Sequence, residues 1–389
     1  MSNPTFYYIF VPMKMWAFLF FILPFLGCFY SGWHIWRILP LANGYKALVL
    51  AVLLSCFLLM FVNFIVGLER VPLPLARVMY DVGFSSVFVL LYIVIFFLVL
   101  DLGKLVHLVP DSFLKNSVVG SMTVAGLLII IFIYGRVHYY NKVLQPLEMT
   151  TNKDLKNPMK IVLMSDLHLG YHNSKADLSK WVDMINAENP DLVLIAGDIV
   201  DISVHPILEE NMAEEFRRLK APVYTCLGNH DYYAGEPKSE QFYRDSGIRL
   251  LRDSHVAFDS GLVVVGRDDR TNPHRKNLRL LMKEVRDSLV ADSIQNPYII
   301  LLDHQPYNLE QAQQNKVDFQ FSGHTHYGQV WPISWIEDRI YEDAFGPLQK
   351  GDTFYYVSSG IGIWGGKFRI GTRSEYVVLT ISPSKLTEE

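Results

Sequence analysis

The chain has 389 residues, a formal net charge of −4 and no basic stripe, which argues against nucleic acid as a partner. Half of its residues are hydrophobic, too many for an ordinary soluble enzyme. The charged residues gather after about residue 140, so a membrane region followed by a soluble one is the simplest division.

In chain order, four apolar stretches come first, at about 15–36, 47–68, 82–103 and 116–137. Each is near the roughly 20 residues that cross a bilayer as a helix, so residues 1–140 are expected to form an all-α membrane region of about four helices. Trp16, Trp33, Trp36, Tyr45, Tyr80, Tyr134, Tyr139 and Tyr140 fall near the ends of these stretches, as an aromatic belt would. The first stretch lacks a basic start and a small-x-small cleavage site, and so reads as a span rather than a cleaved signal. An even number of spans puts Lys14, Arg70, Arg77, Arg136 and Lys142 on the side of the soluble region, against Arg37, Lys46, Lys104 and Lys115. Lys153, Lys156 and Lys160 add to the former, and the excess places the soluble region in the cytoplasm, at a bacterial inner membrane. His34, Asp81, Asp101 and His107 sit at the edges of the spans, which suits an anchor or lipid platform better than a transporter.

Residues 141–157 read as a polar linker, and 158–389 as the catalytic domain. There a Ser174-x-x-Asp177 capping box precedes an amphipathic helix over Asp177–Glu188, with Pro206–Leu219 and Leu278–Leu289 as further helices. Short apolar runs at Lys160–Met164, Leu192–Ala196, Val223–Cys226, Ile299–Leu302 and Phe319–Phe321 read as buried strands. Strands without helices between them (Val256–Phe258, Leu262–Gly266, Thr353–Val357 and Tyr376–Ile381) point to a second sheet. Of three cysteines, Cys28 and Cys56 lie in spans, and Cys226 reads as packing inside a strand; an internal disulfide in the soluble region is excluded.

Each of the first five strands runs into a polar block: Asp166-Leu167-His168, Gly197-Asp198-Ile199-Val200-Asp201, Gly228-Asn229-His230-Asp231, His304, and Gly323-His324-Thr325-His326. Loops at the carboxyl ends of neighbouring strands gather at one sheet edge, where α/β proteins place their ligands. Carboxylate, amide oxygen and imidazole without thiolate suit borderline-hard divalent cations. One metal needs about four ligands, so six or more at one edge argue for two.

The order D-x-H, G-D-x-x-D, G-N-H-D, H, G-H-x-H resembles that of the calcineurin-like metallophosphoesterase superfamily, with every block complete. Gly328-Gln329-Val330, Gly362-Ile363-Trp364-Gly365 and Arg369-Ile370-Gly371 look like its YkuE-like branch. The resemblance covers about residues 158–382 and implies an α/β fold, a two-sheet sandwich flanked by helices. It implies that Asp166, His168 and His326 hold one metal, that Asn229, His304 and His324 hold another, and that Asp198 bridges them. The pair would be manganese, with iron or zinc as alternatives. A water between the cations would attack phosphorus in line. His230 would protonate the leaving group, and Asp201 would orient His230; Asp231 and Asp303 are expected behind the ligands.

Two regions are candidates for substrate. Arg267, Arg270 and Arg275 cluster between a strand and a helix and either hold phosphate oxygens or form an ordinary charged loop. Trp331 and Trp335, just after His326, either meet the bilayer or acyl chains or pack into the core. Tethering to a bilayer raises the effective concentration of a lipid substrate, so a phospholipid or lipid-linked phosphate is the expected substrate. One branch resembling this domain hydrolyses the pyrophosphate of UDP-diacylglucosamine, a concrete candidate. The alternatives are a membrane-anchored phosphodiesterase of a soluble nucleotide and a non-catalytic phosphate sensor, whose mark would be a lost ligand; none is lost here.

Overall fold

The structure is a computed structural model that describes residues 13–291 and 294–384, with side chains from residue 22 onward. The chain divides into two compact units, Met1–Gly67 with Val82–Phe132, and Leu68–Asp81 with Ile133–Glu389.

The first unit is helical. Three described helices are long and apolar enough to cross a membrane: Asn43–Ile65, Leu73–Leu105 and Val118–Tyr140. They fall on the expected spans at 47–68, 82–103 and 116–137, while the expected span at 15–36 lies in helix Met13–Ile38, whose side chains before Ile22 are outside the described residues. Ile38, Ile93, Phe97 and Val124 pack together, whereas Phe29, Leu48, Ile65, Leu102 and Ile129 are exposed, the pattern of helices that turn apolar faces outward to lipid. Leu73–Leu105 starts well before the expected span, because its first turns are part of the second unit.

The second unit holds two six-stranded sheets. The first contains β1 (Lys142–Thr151), β2 (Met159–Met164), β3 (Leu192–Ala196), β4 (Val223–Cys226), β5 (Arg249–Leu250) and, last in sequence, β12 (Ser374–Pro383), in the order β1-β12-β2-β3-β4-β5. The second contains β6 (Ser254–Ala257), β7 (Leu262–Gly266), β8 (Tyr298–Leu302), β9 (Phe319–Ser322), β10 (Gly346–Lys350) and β11 (Thr353–Val357), in the order β10-β11-β9-β8-β7-β6. The strands that feed the site, β2-β3-β4 and β8-β9, run parallel within each sheet, so their carboxyl ends share one edge.

Alternation along each strand makes the sandwich. Ile161 and Leu163, Leu192 and Leu194, Leu262 and Val264, and Ile300 and Leu302 fill the space between the sheets. Their neighbours turn outward: Val162, Met164, Val193 and Ile195 pack under one helical layer, and Val263, Val265, Ile299 and Leu301 under the other. Each such buried side chain contributes about 1.5–3 kcal/mol, and a one-residue slip would turn the whole set over, so the register is firmly specified.

The outer helices follow their sequence signals with one exception. Lys175–Ala187 starts at the Ser174–Asp177 capping box and buries Leu178, Trp181, Val182 and Ile185, and Leu278–Ala291 buries Leu281, Met282, Val285 and Leu289. The helix expected over Pro206–Leu219 is broken into His205–Glu209 and Ala213–Phe216. Asn211 takes a left-handed φ of 51° there, and the Met212 N–H returns to the Ile207 carbonyl, which closes the first helix.

Residues 141–157 are not a linker. Most of them form β1, which pairs in parallel with β12 from Lys142↔Ser374 to Thr151↔Pro383. Its inward positions include Val143, Leu147 and Met149, but Gln145 interrupts the apolar series and Pro146 sits within it. Proline is tolerated on such an edge strand, where one row of N–H groups has no partner to lose.

Candidate metal centre

The five polar blocks leave β2, β3, β4, β8 and β9 and meet at the shared edge of the sheets. His168 Nε2 lies 3.1 Å from His326 Nε2, and both are close to Asp166 Oδ1, at 3.7 and 3.6 Å. Asp198 stands between this group and a second one: its Oδ2 is 3.6 Å from His168 Nε2 and 3.1 Å from His304 Nε2, and His324 completes the set. Asn229 belongs to the same edge and has a buried Oδ1 without a hydrogen-bond donor. His230 and His324 are the two of these histidines that are not fully buried, so they mark the open side.

Holding these groups together requires unusual backbone. Asp166, His168, Asp198, His324 and His326 all have positive φ, between 44° and 74°, a conformation that side chains other than glycine rarely adopt and that gathers at functional sites. Gly197 shares it at 77°. Gly228 is needed for a different reason: a Cβ there would lie 2.1 Å from Asp198 Oδ1. The loops are stitched to each other by buried bonds. Asp231 accepts the N–H groups of Asp198, Val200 and Gly228 at 2.8–3.0 Å, which ties the loop after β3 to the loop after β4. His304 Nδ1 meets the Ala196 carbonyl at 2.7 Å, so its proton sits there and Nε2 is left to face Asp198.

The charge balance of this cluster calls for cations. Burial alone would raise the carboxyls of Asp166 and Asp198, but the surrounding imidazoles outweigh it and hold both well below the usual range. Burial lowers His324 to about 4 and depresses His326, which leaves their lone pairs free. His304 goes the other way: burial would lower it, yet Asp198 beside it raises it well above its ordinary value. Ionised carboxylates and imidazoles converging in a buried cluster, with an orphaned amide oxygen on the same edge, fit divalent metal, which would replace the protons that His168 and His304 otherwise take up.

The Calcineurin-like phosphoesterase family matches residues 159–328. An uncharacterized metallophosphoesterase of Aquifex aeolicus is 31% identical over 229 residues, covering 57% of this chain and 85% of that protein. The chain belongs to the calcineurin-like phosphoesterase family. A transmembrane protein with metallophosphoesterase domain from Danio rerio is 32% identical over 236 residues, 56% of this chain. An uncharacterized metallophosphoesterase of Campylobacter jejuni is 29% identical over 236 residues, 60% of this chain. The chain spans 52% and 61% of the lengths of these two relatives.

In this chain Asp201 sits behind His168 of the first group and behind the expected acid. Its Oδ1 meets His168 Nδ1 at 3.2 Å and lies 3.2 Å from His230 Nδ1, the latter off the hydrogen-bond axis and so an ion-pair contact. Burial would raise the Asp201 carboxyl, but His168 and His230 keep it far below the usual range. His230 thus points one nitrogen at Asp201 and keeps Nε2 for the open side, as an acid requires.

Other expectations are corrected. Asp303 does not reach the ligands; it accepts from Arg267 at 2.9 Å and Arg275 at 2.5 Å. Those two arginines are therefore committed to a buried charge cluster rather than offered to substrate. Arg270 is exposed, with its guanidinium 4.7 Å over the Tyr307 ring. Tyr307 bonds Tyr341, whose ring is 6.2 Å from His324, so Arg270 is linked to His324 through this pair of tyrosines. Trp331 and Trp335 are exposed, not core, and touch edge to face.

Three positioning groups escaped the sequence reading. Asn173 Nδ2 donates to the carbonyls of Leu167, His168 and Ile363 at 2.9–3.0 Å and so shapes the D-x-H loop. Arg369, fully buried, donates to the His326 carbonyl at 2.7 Å and to that of Gly362 at 3.0 Å. Tyr80 donates to Asp201 Oδ2. Asn173 lies in a loop with no motif, and Tyr80 reads in sequence as one more aromatic at a span end.

Proposed function

We propose that this protein is a membrane-anchored, dinuclear metal-dependent phosphoesterase whose substrate is a phospholipid or lipid-linked phosphate. The observation that carries the lipid reading is the short helix Ser334–Ile340, which follows the ligand His326 and exposes Trp335, Ile336 and Ile340. Large apolar side chains standing in the open beside a polar site mark a surface that meets an apolar partner.

Asp166, His168 and His326 would hold one cation, Asn229, His304 and His324 the other, and Asp198 both. Divalent ions bound there, manganese in our reading, supply an activated water and positive charge for the phosphoryl oxygens. The protein's own part is to deliver a proton from His230 Nε2 to the leaving oxygen, to keep that imidazole aimed through Asp201, and to exclude water around the buried carboxylates. Arg270, exposed over the Tyr307 ring, would meet a phosphate or headgroup in this reading. The excess of basic residues on one side supports a cytoplasmic phosphoesterase domain.

The test is turnover by the full-length protein in mixed micelles with Mn²⁺, on a panel of lipid pyrophosphates and phospholipids that includes UDP-diacylglucosamine, beside bis-p-nitrophenyl phosphate. Asp198→Asn serves as the blank. Selective turnover of one lipid supports the proposal and names the substrate. Activity confined to the small ester and to soluble nucleotides would sink the lipid reading.

A further inference from the structure

Two tyrosines outside the stretch that matches the phosphoesterase family hold its metal loops from behind. Both lie in helices long enough and apolar enough to cross a membrane, in turns that belong to the same compact unit as the metal centre. Tyr139 donates to Asn173 Oδ1 at 2.5 Å, and Asn173 in turn holds the carbonyls of the D-x-H loop. Tyr80 reaches closer to the chemistry. It is completely buried, its ring stacks on His172 at 5.0 Å and 9°, and its hydroxyl donates to Asp201 Oδ2 at 2.5 Å while accepting the Gly365 N–H at 3.3 Å.

The division of labour on Asp201 is what matters. One carboxylate oxygen faces His168 Nδ1 and His230 Nδ1, and the other is held by Tyr80. A carboxylate gripped at one oxygen cannot turn about its Cβ–Cγ bond, so the second oxygen stays aimed at the two imidazoles. Without that grip only the His168 side anchors the carboxylate, and the off-axis contact to His230 is the one that loosens.

We infer that Tyr80 is a positioning residue for proton delivery, acting on His230 through Asp201, so that a turn of an apolar helix outside the matched domain sets the acid of the phosphoesterase site. This rests on the phosphoesterase reading above. It follows that the helices are part of the working site and not merely its tether.

The test uses full-length protein with Mn²⁺ and two phosphodiesters of equal charge, bis-p-nitrophenyl phosphate and diphenyl phosphate. Nitrophenolate leaves without help, while phenolate needs a proton, so loss of a well-aimed acid weighs more on the second. Tyr80→Phe is expected to keep its bound manganese, measured by atomic emission, and to lower kcat on diphenyl phosphate about 10-fold more than on the nitrophenyl ester. Added to Asp201→Asn, it should cause no further change in that ratio, as expected of two groups in one path. Equal losses on both esters, wild-type rates on both, or loss of manganese together with activity would overturn the inference and leave Tyr80 a packing residue. Wild-type protein that binds manganese but hydrolyses neither ester nor any lipid of the panel above would instead sink the phosphoesterase reading on which it stands.

Discussion

Asp198 faces both ligand groups, while His230 gathers only with His168 and Asp198 and stands on the open side, and this difference separates two kinds of mutant. Asp198→Asn removes the carboxylate that faces both, and should lose bound metal and activity together. His230→Ala should keep its metal and lose roughly 10²–10⁴ in turnover, the usual share of a general acid. Metal analysis alongside turnover checks both, and full activity in His230→Ala would remove the acid from the scheme. Gly228→Ala offers a steric test, because the new methyl would sit 2.1 Å from Asp198 Oδ1. It should lose metal affinity with its melting temperature little changed; wild-type affinity would show that the loop yields. Away from the site, burial and then the neighbouring Asp338 push Glu337 up from 4.5 to about 7. Between those values the folded chain keeps a proton that the unfolded chain has released. Glu337 thus adds stability at low pH and loses it as pH rises through 7. Glu337→Gln should accordingly raise the melting temperature at pH 8.5 relative to wild type and gain little at pH 5; an equal shift at both would refute the buried-carboxyl account.

At the scale of elements, the strands and capped helices were legible because their signals are local. The capping box at Ser174 and the unbroken apolar runs of β2, β3, β7 and β8 need no partner to be recognised. Three misreadings share the opposite property. β1 is a strand only because β12, over 200 residues later, pairs with it along its full length. The break near Asn211 depends on one residue taking a left-handed turn, which asparagine permits but does not demand. The early start of Leu73–Leu105 includes Arg77 and Tyr80, polar groups that end a hydropathy run but find partners in the second unit, Arg77 on Glu210 and Tyr80 on Asp201.

For the whole molecule, these contacts mean that the phosphoesterase domain does not begin where its strands begin. The compact unit that carries the metal centre includes Leu68–Asp81 and everything from Ile133 onward. A fragment that starts at residue 158 would lack β1, Tyr80 and Tyr139 together. It would bare the edge of β12 along ten paired positions, an invitation to edge-to-edge association. We expect that fragment to aggregate and to bind manganese more weakly than the full-length protein, as size-exclusion chromatography and metal titration would report. A monomeric fragment with full metal affinity would show that the helix residues are dispensable.

The sequence by itself determined the residue blocks: seven candidate ligands and a candidate acid, in one order and on five strand ends, and the apolar runs that set the membrane helices apart. Each of those signals is carried by residue type and short spacing, which folding does not alter. Only the tertiary structure decided who supports whom. Asp303 turned out to answer to Arg267 and Arg275, Asp231 to three backbone N–H groups, and Asp201 to a tyrosine 121 positions earlier. The reason is physical: a buried carboxylate must find donors, but which donors come within 3 Å depends on how distant segments pack, and no local pattern records that.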